Sequence, residues 1–133
     1  MHMMSSEESL TEIVCLVDDD PAVLKSMGRL LASDGFSVRA FGGPKSFLAH
    51  VESHRVLVAI LDIWMEEMNG LEVQCKLCAL SPETRVIIIT GREDPTARMT
   101  AMRSGAVGFF IKPFDDNQFL AAVHSALAVR SSS

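Results

Sequence analysis

The chain has 133 residues, of which 48% are hydrophobic, and its formal net charge is −5. This length suits one domain with a buried core, and the hydrophobic content excludes an intrinsically disordered chain. The negative charge argues against a broad nucleic-acid-binding face, and the chain lacks an apolar run near the roughly 18 residues of a membrane span. We therefore expect one globular domain without direct nucleic-acid or membrane binding.

The two ends of the chain are expected to lie outside that domain. Residues 1–10 are acidic and lack an apolar signal core, so we predict a disordered tail there, a folded domain over 11–130, and a tail or the start of a linker at 131–133. An odd number of cysteines, three, favours a reducing compartment over a disulfide framework. A cytoplasmic location is therefore the default expectation.

Strand and helix patterns alternate along the chain. Five short apolar runs predict strands, in chain order Ile13–Val17, Phe36–Phe41, Val56–Leu61, Val86–Ile89 and Val107–Ile111. Helical spacing of apolar residues, with caps or prolines in the first turn, predicts helices that begin near Pro21, Pro44, Leu71, Pro95 and Asp115. This alternation predicts an α/β fold in which a parallel sheet carries helices on both faces.

Chemically suggestive side chains follow four of these strands. Asp18 and Asp19 come after the first strand, and Asp62 ends the third. Thr90 follows the fourth strand and Lys112 the fifth. Because the carboxyl ends of parallel strands meet at one edge of a sheet, we expect these groups to converge. Acids, a hydroxyl and an amine in one place suit phosphoryl transfer around a metal ion.

Each of these groups has a plausible part in such chemistry. Asp62 can attack phosphorus and become an aspartyl phosphate. Asp18 and Asp19 would repel each other and Asp62 unless a divalent cation lay between them, and Mg²⁺ suits carboxylate, water and phosphate ligands. Lys112 can pair with phosphoryl oxygens, and Thr90 can hydrogen-bond one of them.

Six short segments together resemble the receiver domain of bacterial two-component response regulators. They occur in that family's order over nearly the whole chain: Val17–Pro21, Leu61–Met65, Met68–Gly70, Ile89–Gly91, Gly105–Ala106 and Phe110–Phe114. The loop after Thr90 is most similar to the nitrogen-fixation and nitrate-type regulators. The resemblance implies a flavodoxin-like (βα)5 doubly wound sandwich, with a five-stranded parallel sheet of order 2-1-3-4-5.

The resemblance also implies a role for each matched acid. Asp62 would be the phosphoacceptor, supplied by a phosphohistidine on a sensor histidine kinase. Asp18 and Asp19 would hold Mg²⁺ together with Asp62, helped by the backbone carbonyl of Trp64. The protein would then be a signalling phosphoacceptor that catalyses only its own phosphorylation and dephosphorylation, and not a metabolic enzyme.

A conformational response is implied as well. Thr90 and Phe109 would form a switch pair, and Lys112 would sense the phosphoryl group. The face from Pro95 through Val129 would then change its packing and pair with a partner or a second copy of the chain. Regulators of this type usually attach a helix-turn-helix DNA-binding output domain, which this sequence does not include.

One position departs from the family pattern. Family members commonly have proline where this chain has Glu66, so the loop backbone is freer and carries extra negative charge near the expected metal site. We hypothesise an altered metal affinity or phosphoryl lifetime. Two alternatives stay open at this point: a haloacid-dehalogenase-like phosphatase with Asp18 as its nucleophile, and a receiver-like domain that acts without phosphorylation.

Two further patterns have plain structural explanations. Cys75 and Cys78 share a helical stripe with Leu71, which predicts core packing in preference to a redox or zinc site. His50 and His54 are spaced for one helix face and could add metal ligands, but no other pattern supports that interpretation.

Overall fold

The computed structural model describes residues 13–128, and strands and helices alternate through this range. The strands are β1 Ile13–Val17, β2 Ser37–Phe41, β3 Val58–Asp62, β4 Arg85–Thr90 and β5 Gly108–Ile111. The helices are α1 Pro21–Ser33, α2 Pro44–Val51, α3 Gly70–Leu80, α4 Pro95–Arg103 and α5 Asp116–Ala128. Every predicted element is present. The tails predicted at 1–10 and 131–133 lie outside the described residues.

The strands form one parallel sheet in the order β2-β1-β3-β4-β5, which confirms the predicted order. In the register of the sheet, Val17 pairs with Leu61, and Asp62 pairs with Ile89. The order reverses between β1 and β3, and in open α/β sheets a crevice forms at the carboxyl ends of the strands at such a point. The ends of β1 and β3 are therefore the expected position of a ligand site.

The sheet separates two apolar clusters, one on each face. Successive side chains of a strand point to opposite faces, so Ala59 and Leu61 join one cluster while Val58 and Ile60 join the other. The first cluster includes buried residues of α2, α3 and α4, and the second includes those of α1 and α5. All five residues of β3 are buried, as expected for a central strand covered on both faces.

Side-chain caps start three helices directly after the loops at the carboxyl edge of the sheet. The side chain of Asp20 accepts a hydrogen bond from the backbone N–H of Ala22 at the start of α1. Asn69 and Glu72 form a reciprocal capping box at α3, and Asp94 caps α4. Each such cap stabilises a helix by about 1 kcal/mol. None of the described helices has the length and apolar character needed to cross a membrane.

Candidate functional site

Three carboxylates converge at the carboxyl edge of the sheet. Asp18 and Asp19 follow β1, Asp62 ends β3, and each offers one oxygen within 4.8 Å of the others. Within residues 13–128, no other group of three or more His, Cys, Asp or Glu side chains lies close enough to share a metal ion. The structure therefore brings together the three acids that strand-end reasoning predicted.

These acids open onto a cavity of about 320 Å³. Its wall is made by the carboxyl ends of β1, β3, β4 and β5 with the loops that follow them, and by the start of α1: Asp18, Asp19, Asp20, Val23, Asp62, Trp64, Gly91, Arg92 and Lys112. The predicted lysine thus lies with the acids, and so does Trp64. Of the predicted site residues in the described range, Thr90 and Phe109 do not line this cavity.

The position of Asp62 depends on a glycine at the start of α3. The Gly70 N–H donates to the carbonyl oxygen of Ile63 at 2.8 Å, which folds the loop back onto the end of β3. A Cβ atom at Gly70 would collide with the backbone carbonyl oxygen of Asp62 and lie 3.0 Å from the Cα of Ile63. Only glycine permits this close approach, and the approach fixes the backbone that carries the Asp62 carboxylate.

Asp18 is almost fully buried, with 1% of its surface exposed. Its Oδ1 accepts a hydrogen bond from the Asp20 N–H at 2.9 Å. Its Oδ2 has no hydrogen-bond partner within the described chain, and the Lys112 Nζ lies 3.7 Å away, close enough for an ion pair but too far for a hydrogen bond. A buried carboxylate oxygen left in this state is costly unless a cation binds it.

The acids are electrostatically unbalanced. Burial, and after it the neighbouring Asp18 carboxylate, raise the pKa of Asp62 from its usual 3.8 to about 6, although the Lys112 ammonium acts in the opposite direction. Burial also raises the pKa of Asp18, against the Asp20 N–H and Lys112. One lysine therefore does not compensate the negative charge of the cluster. The donor set, three hard carboxylates with one orphaned oxygen, fits a divalent cation such as Mg²⁺.

Asp19 is the exposed acid of the cluster, and a residue of the loop after β3 makes a hydrogen bond to it. Its Oδ2 accepts a hydrogen bond from the backbone N–H of Glu66 at 3.1 Å. The contact joins the loop after β1 to the loop after β3. Sequence reasoning singled out Glu66 for its charge and for the absence of proline, but the interaction itself is formed by the backbone.

The predicted switch pair lies on the neighbouring strands β4 and β5. The hydroxyl of Thr90 is buried, donates to the Arg92 carbonyl at 3.2 Å and accepts from the Arg92 N–H at 3.2 Å. The Phe109 ring belongs to the apolar cluster and is 9% exposed, with the Arg98 guanidinium 5.3 Å from its centroid. In this arrangement the Thr90 hydroxyl is engaged by its own loop.

An arginine that was not predicted from the sequence, Arg92, also lines the cavity. The Arg92 guanidinium carbon lies 4.3 Å from the centroid of the Trp64 ring, in the range of a cation–π contact. Trp64 remains 39% exposed. In the sequence, Trp64 lies two positions after Asp62, and Arg92 lies two positions after Thr90. These spacings are the only sequence signal for the contact.

The prediction that Cys75 and Cys78 pack in the core is wrong, because both are exposed. The buried face of α3 instead carries Val73, Gln74 and Leu77. His54 lies beyond the end of α2 at Val51, so the expectation that His50 and His54 share one helix face is wrong, although their rings stack with centroids 4.0 Å apart. Within the described range, these residues do not form a ligand cluster with the cysteines.

Comparison with known proteins decides the family. Residues 14–124 match the family model for the response regulator receiver domain. The chain belongs to this family. Receiver domains have phosphorylation by a kinase as their general function, and the histidine kinases of two-component systems supply the phosphoryl group. The resemblance to receiver domains that was noted in the sequence is therefore confirmed.

Curated relatives of this receiver domain include bacterial regulators. It is 38% identical to the response regulator protein TmoT of Ectopseudomonas mendocina over 124 residues, which are 93% of this chain and 55% of TmoT. It is 35% identical to the transcriptional regulatory protein FixJ of Rhizobium meliloti over 113 residues, 85% of this chain and 55% of FixJ. The likeness to nitrogen-fixation regulators is thus confirmed, and the chain spans about half the length of these relatives.

Solved structures give the same result for the fold. A CheY-like receiver domain protein from Methanospirillum hungatei JF-1 superposes with a TM-score of 0.81 at 27% identity, covering 87% of this chain and 93% of that one. The beryllofluoride-activated NtrC4 receiver domain dimer gives a TM-score of 0.82 at 26% identity, covering 87% and 96%. The phosphatase alternative, with Asp18 as nucleophile, is not retained because the receiver family accounts for this chain.

Proposed function

We propose that this receiver domain accepts a phosphoryl group on Asp62 from a sensor histidine kinase, in a Mg²⁺-dependent reaction in the cytoplasm. The observation that carries the proposal is the cluster of Asp18, Asp19 and Asp62, whose ligand oxygens lie within 4.8 Å of one another. Such a cluster is unfavourable alone and favourable around a dication. Beyond its own phosphorylation and dephosphorylation, the domain would catalyse no reaction.

The proposed chemistry gives every residue of the site a task, and gives Asp62 two. Asp18 and Asp19, with Asp62 and the backbone carbonyl of Trp64, would hold the ion. The bound ion would neutralise phosphoryl oxygens and orient the phosphoryl group. A carboxylate oxygen of Asp62 would form the new bond to phosphorus as the bond to the kinase imidazole breaks. Lys112 lines the same cavity and would pair with a phosphoryl oxygen.

The response to phosphorylation would involve Thr90 and Phe109. For the Thr90 hydroxyl to reach a phosphoryl oxygen, it must exchange its two contacts with the Arg92 backbone. Phe109 lies on β5, between α4 and α5 in the chain, so a change there would reach the part of the expected partner face that the structure describes, residues 95–128. This face is the proposed surface for a second copy or for a DNA-binding output domain, in keeping with relatives that are transcriptional regulators.

The fluorescence of Trp64 offers a direct test, because Trp64 is the only tryptophan and lies two residues after Asp62. We expect Mg²⁺, and then beryllofluoride with Mg²⁺, to change its emission in the wild type. The Asp62→Asn variant should lose the beryllofluoride response. Absence of any response in both proteins would contradict the assignment of the site.

A second experiment identifies the acceptor. The domain is treated with a small phosphodonor, the acyl phosphate is reduced with borohydride, and the modified residue is found by peptide mass spectrometry. Modification at Asp62 supports the proposal. Modification at Asp18 with Asp62 unmodified would refute it and favour the phosphatase chemistry.

A further inference from the structure

The loop between β3 and α3 makes a backbone contact with one of the three acids. The Glu66 N–H donates to Asp19 Oδ2 at 3.1 Å, across 47 positions in the chain. Asp19 is exposed, so its carboxylate would otherwise be free to change rotamer. Because a carboxylate has two oxygens, this contact occupies one and leaves the other available to an ion.

The same loop is anchored on its other side. The Glu67 Oε1 accepts a hydrogen bond from the Lys45 N–H at 3.3 Å, at the start of α2. The N-cap of α2 is Gly43, which has no side chain to cap the helix, and the Glu67 carboxylate lies beside it. An acid at a helix N-terminus also interacts favourably with the helix dipole. The Glu66 N–H therefore belongs to a loop held at a second point.

We propose that Glu66 is a positioning residue that acts through its backbone N–H. It orients the Asp19 carboxylate toward Asp18 and Asp62, so that a divalent cation meets three acids already in place. The inference rests on the proposed metal site. It assigns the contribution of position 66 to its amide and not to its charge, because the side chain is exposed and its field is screened by solvent and salt.

Two substitutions separate these contributions. Glu66→Ala removes the carboxylate and keeps the N–H, whereas Glu66→Pro removes both, since proline lacks a backbone donor. Mg²⁺ affinity is measured for the wild type and both variants by titration of Trp64 fluorescence. We expect the dissociation constant of Glu66→Ala to stay within about twofold of the wild type, and that of Glu66→Pro to be about three- to tenfold higher than that of Glu66→Ala, the range of one hydrogen bond.

The outcomes are distinguishable. Equal Mg²⁺ affinity for Glu66→Pro and Glu66→Ala overturns the inference while the proposed function stands. A loss in Glu66→Ala as large as in Glu66→Pro also overturns it, because charge would then explain the effect. A wild-type domain that binds no Mg²⁺ contradicts the proposed function, and the inference with it.

A second measurement avoids any folding defect of the proline variant. Amide hydrogen exchange of Glu66 is followed by NMR in the wild type and in Asp19→Ala, both of which keep the Glu66 N–H. We expect exchange of this amide to be about fivefold or more faster in Asp19→Ala, because its acceptor has been removed. Equal exchange rates in the two proteins would overturn the inference whatever the proline variant shows.

Discussion

Replacing Asp62 with asparagine should stabilise the metal-free fold, although it removes the proposed phosphoacceptor. The pKa of Asp62 is raised from 3.8 to about 6, first by burial and then by the Asp18 carboxylate. A group with a raised pKa in the folded state binds its proton more tightly there than in the unfolded chain. Ionised Asp62 therefore destabilises the fold. This cost is small below about pH 4, grows between about pH 4 and pH 6, and is complete above that range.

The size of the effect follows from the same shift. A difference of roughly two pKa units corresponds to about 3 kcal/mol at neutral pH, which is an upper estimate for a neutral replacement. The asparagine amide needs hydrogen bonds of its own in a buried position, so we expect a net gain of about 1–3 kcal/mol. For a domain of this size, that gain raises the unfolding midpoint by about 4–10 °C.

The assay is urea unfolding in the presence of a chelator at pH 4.5 and pH 7.5. The stability difference between Asp62→Asn and the wild type should be larger at pH 7.5 than at pH 4.5 by about 1–2 kcal/mol. Glu83→Gln is the matched control, since it neutralises an exposed acid after α3 and should change stability little at either pH. Added Mg²⁺ should stabilise the wild type more than Asp62→Asn, because a ligand that binds only the folded state adds more stability when it binds more tightly.

Two results would refute this reasoning. One is an Asp62→Asn variant no more stable than the wild type at pH 7.5 without Mg²⁺. The other is a stability difference that does not grow with pH. Either result would mean that the acids are not under electrostatic strain in the free protein, and the argument for a dication from burial and like charge would fail.

Three further predictions concern two glycines, one at the site and one away from it, and the arginine that contacts Trp64. Gly70→Ala should destabilise the fold by about 2–3 kcal/mol in urea unfolding and weaken Mg²⁺ binding, because the added methyl group displaces the Asp62 carbonyl. Gly28→Ala, in α1 with open space around the new methyl group, should instead stabilise the fold by about 0.5–1 kcal/mol and leave Mg²⁺ binding unchanged. Arg92→Ala should move the emission maximum of Trp64 to longer wavelength by exposing its ring; an unchanged spectrum would mean that the cation–π contact does not persist in solution.

The fold class and the acid cluster were predictable because they depend on local sequence patterns and on the general geometry of parallel sheets. Apolar runs identified the strands, and strict alternation with helices required parallel strands whose carboxyl ends share one edge. Asp18 and Asp62 had to approach each other once β1 and β3 were neighbours, as the pairing of Val17 with Leu61 shows. The sheet order itself came from the family resemblance, since spacing alone does not decide which strands are adjacent.

The buried face of α3 was not predictable in the same way. Cysteine is more often buried than glutamine, so composition favoured Cys75 and Cys78 over Gln74. Yet Gln74 is 1% exposed, and its Nε2 donates to the carbonyl of Ala101 in α4 at 3.0 Å. A polar side chain can be buried when a distant backbone group satisfies it, and a pattern within one helix does not reveal that partner.

At Glu66, the amino-acid type likewise did not predict the interaction, because the backbone makes it and not the side chain. From the sequence, the missing proline indicates a freer loop and an added negative charge. In the structure, the same position supplies a backbone donor to Asp19 and so restrains an acid of the site. The N–H is common to nineteen of the twenty amino acids, so its effect is invisible to any argument from side-chain type. The contact becomes apparent only in the folded structure, where the loop after β3 lies beside the loop after β1. Because proline lacks the N–H and alanine keeps it, these two substitutions at position 66 separate the effect of the backbone donor from that of the side-chain charge.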